Sequence, residues 1–196
     1  MDLDLPRSMK AEQLQVQVMD MKKKLLGPEH PDTLLNMGNL ASTYNVKANE
    51  CSDPPYGHCS FYADCLEARY HCGPDGYPIG YGLKYCEKFK VEHSKLSTQG
   101  QAWMMNTMKC LQDTLIPEGT GGVDAVKTCN ELRNKAFDSH ARCYLENGLC
   151  ALSPSDWLAV VDIVSLKMMF SGWEALKETL EAADGCLDRV LQLFDA

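Results

Sequence analysis

The chain has 196 residues, a formal charge of −8, a pI near 5.1, 45% hydrophobic residues and ten cysteines. That length allows one domain plus an appendage, and the hydrophobic content is enough to form a core. The acidic balance argues against nucleic acid or an anionic membrane as principal partner, and no apolar run reaches the ~18 residues of a membrane-spanning helix.

The first fifty residues contain no cysteine. Met1 to Lys24 carries scattered charges without an uninterrupted apolar stretch, so no signal peptide is visible. Leu14, Val18, Met21 and Leu25 form an apolar stripe on one helix face, with Lys22 to Lys24 near its end. Gly27-Pro28 breaks this helix, and Pro31 opens a second through Leu34, Met37, Leu40, Ala41 and Tyr44. The run from Leu26 to Leu34, followed by Asn39-Leu40-Ala41 and Tyr44, resembles the tetratricopeptide repeats of kinesin light chain-like proteins. One hairpin would not make the stacked array such repeats need. Residues 1–48 are therefore expected to be a single helical hairpin, with His30 in its turn. Asn45 to Gly57 reads as a linker, since Asn49, Ser52, Asp53, Pro54 and Pro55 are turn formers.

The ten cysteines, Cys51 to Cys186, follow at intervals of 8, 6, 7, 14, 24, 19, 14, 7 and 36 residues. None has the two-residue spacing of a zinc knuckle or a thioredoxin-like motif. Their even number and dispersal read as five disulfides in an oxidising compartment, ahead of reduced core thiols or a metal site. Glycines and prolines crowd the stretch between Cys72 and Cys86, which reads as a loop. Its Tyr77, Tyr81 and Tyr85 suit a small core over the bridges better than a binding platform.

Beyond Cys86 the pattern is helical. Thr98 and Gln101 have capping-box spacing ahead of Met104, Met108, Leu111 and Leu115, whose periodicity fits a core face. Gly121-Gly122 is expected to open a helix through Val126, Cys129, Leu132 and Ala136. Ser139 is expected to begin a short one closed by Gly148, and Ser153-Pro154 a longer one with Trp157, Val160, Val161 and Val164. Ser171 with Glu174, then Trp173, Leu176 and Leu180, predicts another, and Val190, Leu191 and Phe194 a last one. No alternating strand pattern competes. The fold class is all-α: a disulfide-rich helical domain over 51–196 behind an N-terminal hairpin.

Catalytic and metal motifs are weak. His140 ahead of Cys143-Tyr144 faintly resembles the active-site helix of secreted phospholipases A2, but position 141 is Ala instead of Asp and position 137 is Phe instead of Cys. A hydrolase using His140 is thus a minor alternative. His58-Cys59 and His71-Cys72 pair histidine with cysteines expected to be bridged, which leaves no thiolate for a metal. No cofactor is expected.

The segment Cys59-Ser60-Phe61-Tyr62-Ala63-Asp64-Cys65-Leu66-Glu67, then Cys72 and Tyr85-Cys86-Glu87-Lys88-Phe89, resembles the opening of stanniocalcins. Leu96 to Trp103, Lys109-Cys110-Leu111, Cys129, Cys143-Tyr144, Cys150 and Cys186 continue the resemblance over about residues 51–188. That family consists of secreted, helical glycoprotein hormones, generally homodimers, associated with calcium and phosphate balance and with inhibition of a metalloproteinase. Cysteine number alone leaves roughly 945 pairings open. The resemblance implies Cys51 with Cys65, Cys59 with Cys86, Cys72 with Cys129, Cys110 with Cys143, and Cys150 with Cys186. Three features depart from the family: no further cysteine for a dimer link, no Asn-x-Ser/Thr glycosylation site, and a longer Cys72–Cys86 stretch. The expectation is a secreted, non-enzymatic regulator that contacts a protein receptor or target. A noncovalent homodimer would use Trp173, Leu176, Val190 and Phe194. The alternative is an adaptor working through the hairpin.

Overall fold

The computed structural model describes residues 7–164. Its elements are α1 (Arg7–Leu26), α2 (Pro31–Ser52), a π-helix π1 (Tyr62–Glu67), α3 (Ala68–Tyr70) and a second π-helix π2 (Tyr77–Leu83). Then follow α4 (Lys84–Glu92), α5 (Thr98–Thr114), α6 (Ile116–Thr120), α7 (Cys129–Glu146) and α8 (Pro154–Val164). The fold is all-α, with no strand among the described residues.

Helices α1 and α2 form a hairpin about Gly27, whose φ of 95° lies in the left-handed region that favours glycine. His30 caps α2, its Nδ1 accepting from the Asp32 N–H at 3.2 Å, and Pro31 fills the first helical position. The helix then runs through the stretch read as a linker. It ends at Ser52, where Asp53 and Pro54 stop it, so it crosses residue 48 unbroken and carries Cys51 in its last turn. Helical backbone bonds outlast the local preference of Asn45 and Asn49 for turns.

The stretch between Cys72 and Cys86 differs most from its sequence reading. Residues 73–76 form a turn, but from Tyr77 onward it is a π-helix running into α4 and not a loop. Its glycines mark close approach: a Cβ on Gly82 would overlap the Tyr62 ring of π1, and one on Gly80 would meet the Pro74 carbonyl oxygen at 2.9 Å. Ahead of it, the Glu67 carboxylate closes the turn after α3 by accepting from the Gly73 N–H at 2.8 Å and the Cys72 N–H at 3.2 Å.

Three helix starts also differ. Ser97, not Thr98, caps α5, its hydroxyl accepting from the Gly100 N–H at 3.1 Å. Gly121 is the left-handed stop of α6 and does not open a helix. Helix α7 starts at Cys129 behind a reciprocal capping box of Thr128 and Glu131. Ser139 lies inside α7, its hydroxyl bonded back to the Ala136 carbonyl at 2.7 Å, so α7 is one helix to Glu146. Pro154 starts α8 as expected. The expected helices bearing Ser171 to Leu180 and Val190 to Phe194 lie outside the described residues.

The core joins π1, π2 and α4 to α5, α7 and α8. Leu66, Leu115, Leu132 and Ile163 are wholly buried, and Met104 and Met108 are core residues. Trp103 donates its indole N–H to the Tyr144 carbonyl at 3.2 Å, joining α5 to α7.

Candidate functional site: the bridged core and its aromatic cavity

Four disulfides tie these elements: Cys51–Cys65 joins α2 to π1, Cys59–Cys86 joins the start of the π1 segment to α4, Cys72–Cys129 reaches α7, and Cys110–Cys143 joins α5 to α7. These partners are the ones the family resemblance implies. Cys150 is bridged as well, and its expected partner, Cys186, lies outside the described residues. The loops closed span 14 to 57 residues, for which each bridge is typically worth about 2–4 kcal/mol, largely through the unfolded chain.

Inside this frame lies an aromatic cluster. Tyr77 of π2 is buried, stacks on Tyr81 at 5.8 Å, and meets Phe137 of α7 edge-on at 5.8 Å. Tyr81 contacts Phe137 at 4.8 Å and Tyr85 at 4.7 Å. The three tyrosines therefore build core. Burial raises the phenols of Tyr62, Tyr77, Tyr81 and Tyr144 above the usual range, so all four stay protonated.

His140 sits among these rings, stacked on Phe137 at 5.2 Å and edge-on to Tyr144 at 5.6 Å. Its Nδ1 lies 2.7 Å from the Ala136 carbonyl oxygen. A carbonyl can only accept, so Nδ1 carries the proton and Nε2 keeps a lone pair. Burial pushes the imidazole down to about 4, outweighing that hydrogen bond, and the ring is neutral near pH 7.

A cavity of about 40 Å³ opens beside His140. Thr107 of α5 lines it, is 4% exposed, and has a hydroxyl with no hydrogen-bond partner among the described residues. Sequence reading missed Thr107 because its neighbours Met104 and Met108 mark the same face as ordinary core. His58 and His71 are exposed and distant in role: the His58 carbonyl accepts from Gln112, and His71 adopts a left-handed conformation at φ 52°. Among the described residues no three His, Cys, Asp or Glu side chains gather as metal ligands, and no helix is long and apolar enough to cross a membrane.

The second buried polar feature is Glu118 of α6. It is wholly buried, one carboxylate oxygen meets Lys135 Nζ of α7, and the other has no partner among the described residues. Neither residue stands out in the sequence, because the pair joins positions 17 apart.

The fold and its bridges define a disulfide-braced, all-helical domain. The stanniocalcin family model matches residues 30–190, and the chain belongs to the stanniocalcin family. That match begins at the cap of α2, His30, and takes in the whole of that helix, ahead of the cysteine-rich resemblance that starts near Cys51. Searches of curated proteins and of solved structures gave no match.

Proposed function

We propose that the chain is a secreted, stanniocalcin-like regulatory protein that acts by contact with a protein target and not by catalysis. The associations of its family, calcium and phosphate balance or restraint of a protease, are the roles we assign to it. One observation carries the contact mode: the hairpin exposes large apolar side chains in quantity. Leu14, Met21 and Leu25 of α1 are 59%, 54% and 82% exposed, and Leu34, Met37 and Tyr44 of α2 are 53%, 43% and 47% exposed. So many exposed large apolar side chains on one two-helix element support a protein-contact role for it. Secretion is supported by the bridges, which persist in oxidising compartments. Within residues 1–196 the family pairing leaves no cysteine over, so a homodimer would be noncovalent, with Trp173, Leu176, Val190 and Phe194 as its contact residues.

Two other readings are weaker. A tetratricopeptide adaptor is disfavoured because helices of 20 and 22 residues outrun the roughly 34-residue unit of that repeat. A hydrolase using His140 is disfavoured because a buried imidazole pushed down to about 4 is a weak base at neutral pH.

The test is a photo-reactive residue at Leu25 in the full chain secreted by cultured cells, with a second at exposed Arg133 as control. A defined protein adduct at Leu25 alone, lost in Leu14→Glu/Met21→Glu, is expected. Absence of any adduct, or equal adducts at both positions, contradicts contact through the hairpin.

A further inference from the structure

We propose that the loop between α6 and α7 is a cleavage site: an endopeptidase that prefers a small aliphatic residue cuts the Val123–Asp124 bond and leaves a two-chain protein. This goes beyond protein contact through the hairpin and does not depend on it.

Gly121 ends α6 and Cys129 begins α7. The tip of the loop between them stands clear of the domain: Gly122, Val123 and Asp124 are exposed, Val123 wholly so. Among the described residues between Cys51 and Cys150, no other run of three exposed residues lies outside every helix. Such tips are where peptidases cut, because their clefts take the backbone extended and a packed helix does not supply it. One backbone bond spans the scissile pair, from the Ala125 N–H to the Gly122 carbonyl at 3.0 Å. Water replaces it at little cost when this exposed turn opens. Gly121 and Gly122 put no side chain in the way, and Val123 offers a branched apolar one at the point of attack.

The base of the loop is held on both sides of the tip by one segment. Arg69 of α3 lies against Gly121, where a Cβ would overlap its guanidinium. Tyr70 donates its hydroxyl to the Val126 carbonyl at 2.7 Å, and Cys72 is bridged to Cys129. The neighbouring helix ends are complete on their own sides. The Gly122 N–H closes α6 on the Pro117 carbonyl at 2.8 Å, and Thr128 with Glu131 starts α7. Hydrolysis therefore severs nothing that either helix needs. The oxygen of water goes to the Val123 carbonyl carbon and its two protons to the Asp124 nitrogen, leaving a new carboxylate and a new ammonium at the surface. The bridges Cys72–Cys129 and Cys110–Cys143 cross the cut and keep residues 1–123 joined to 124–196.

The experiment digests the full, bridged chain with a low ratio of pancreatic elastase, whose small specificity pocket makes it the probe. The first cut between Cys51 and Cys150 should fall at Val123–Asp124, read as a new N-terminus Asp124-Ala125-Val126. The product should run as one species unreduced and as two chains after reduction, and its thermal midpoint should stay within about 4 °C of the uncut protein's. Val123→Ala should be cut at the same bond. Val123→Asp should be cut there at least about tenfold more slowly, because an apolar pocket takes no unpaired carboxylate. Val123 is wholly exposed, so both variants fold as the parent does. The Asp124 N-terminus should also appear in protein from its native source. The proposal is overturned if the first cut in that range falls at another bond, or if the folded protein is not cut there. It is overturned equally if Val123→Asp is cut as fast as the parent, if the two-chain product loses its cooperative transition, or if the native protein carries no Asp124 N-terminus.

Discussion

Ser97 donates both its backbone N–H and its hydroxyl to the carboxylate of Asp156, each at 2.7 Å. Asp156 also accepts from the Ser153 hydroxyl at 2.7 Å, while Ser153 accepts in turn from the Asp156 N–H. One buried carboxylate therefore closes the starts of both α5 and α8, with Ser97 and Asp156 59 residues apart in sequence. Asp156→Ala removes these acceptors together and should cost about 2–3 kcal/mol, against about 1 for Ser153→Ala. Denaturant unfolding of the bridged protein measures both, and equal losses would contradict the shared role.

Acid should weaken the fold in two separate windows. Burial pushes His140 from 6.5 down to about 4 in the folded state, so the unfolded chain binds the extra proton between those values. Stability is complete above about pH 6.5 and falls as pH drops towards 4, by about 3 kcal/mol in all. Burial works to raise Asp156, but hydrogen bonds from Ser97 and Ser153 outweigh it and hold the carboxyl below its ordinary 3.8. Its contribution is present above 3.8 and is lost only at lower pH. His140→Phe should flatten the upper window and leave the lower one; an unchanged slope between pH 6.5 and 4 would exclude His140 as the cause.

Gly82→Ala should destabilise the junction of π1 and π2 by about 1–3 kcal/mol, because the Tyr62 ring must move within a packed core. Near-ultraviolet circular dichroism should change with it, since Tyr62 contacts both Phe61 and Tyr77. A neutral effect would restore the reading of this stretch as an adaptable loop.

Removing Lys135 strands the Glu118 carboxylate in the interior. Lys135→Met should cost about 3–5 kcal/mol, and Glu118→Met/Lys135→Met distinctly less, because it removes the buried charge as well as its partner. Thermal denaturation of the two variants reads the difference. A double variant less stable than the single one would contradict it.

Helix type was legible wherever apolar periodicity ran long, as in α5 with Met104 and Met108 buried on one face. Boundaries were less so. Thr128-x-x-Glu131 is as good a capping signal as Thr98-x-x-Gln101, yet the Gly121-Gly122 pair drew the start of α7 seven residues too early. Gly121 serves its helix as a stop, a role that glycine fills more readily than a start. The π-helices have no one-dimensional signature of their own. Their glycines look like loop residues until Tyr62 is seen against Gly82. The cavity was illegible for a similar reason, since Thr107 and His140 come to line one space only after α5 and α7 pack. The cysteines were the reverse case, because their order carried the family likeness that suggested the partners.

The central claim is a secreted stanniocalcin-like protein held by five bridges, and peptide mapping of the unreduced protein from its native source tests it most directly. The account predicts Cys51–Cys65, Cys59–Cys86, Cys72–Cys129, Cys110–Cys143 and Cys150–Cys186, with no free thiol. Several free thiols, or Cys150 joined to anything but Cys186, would contradict it.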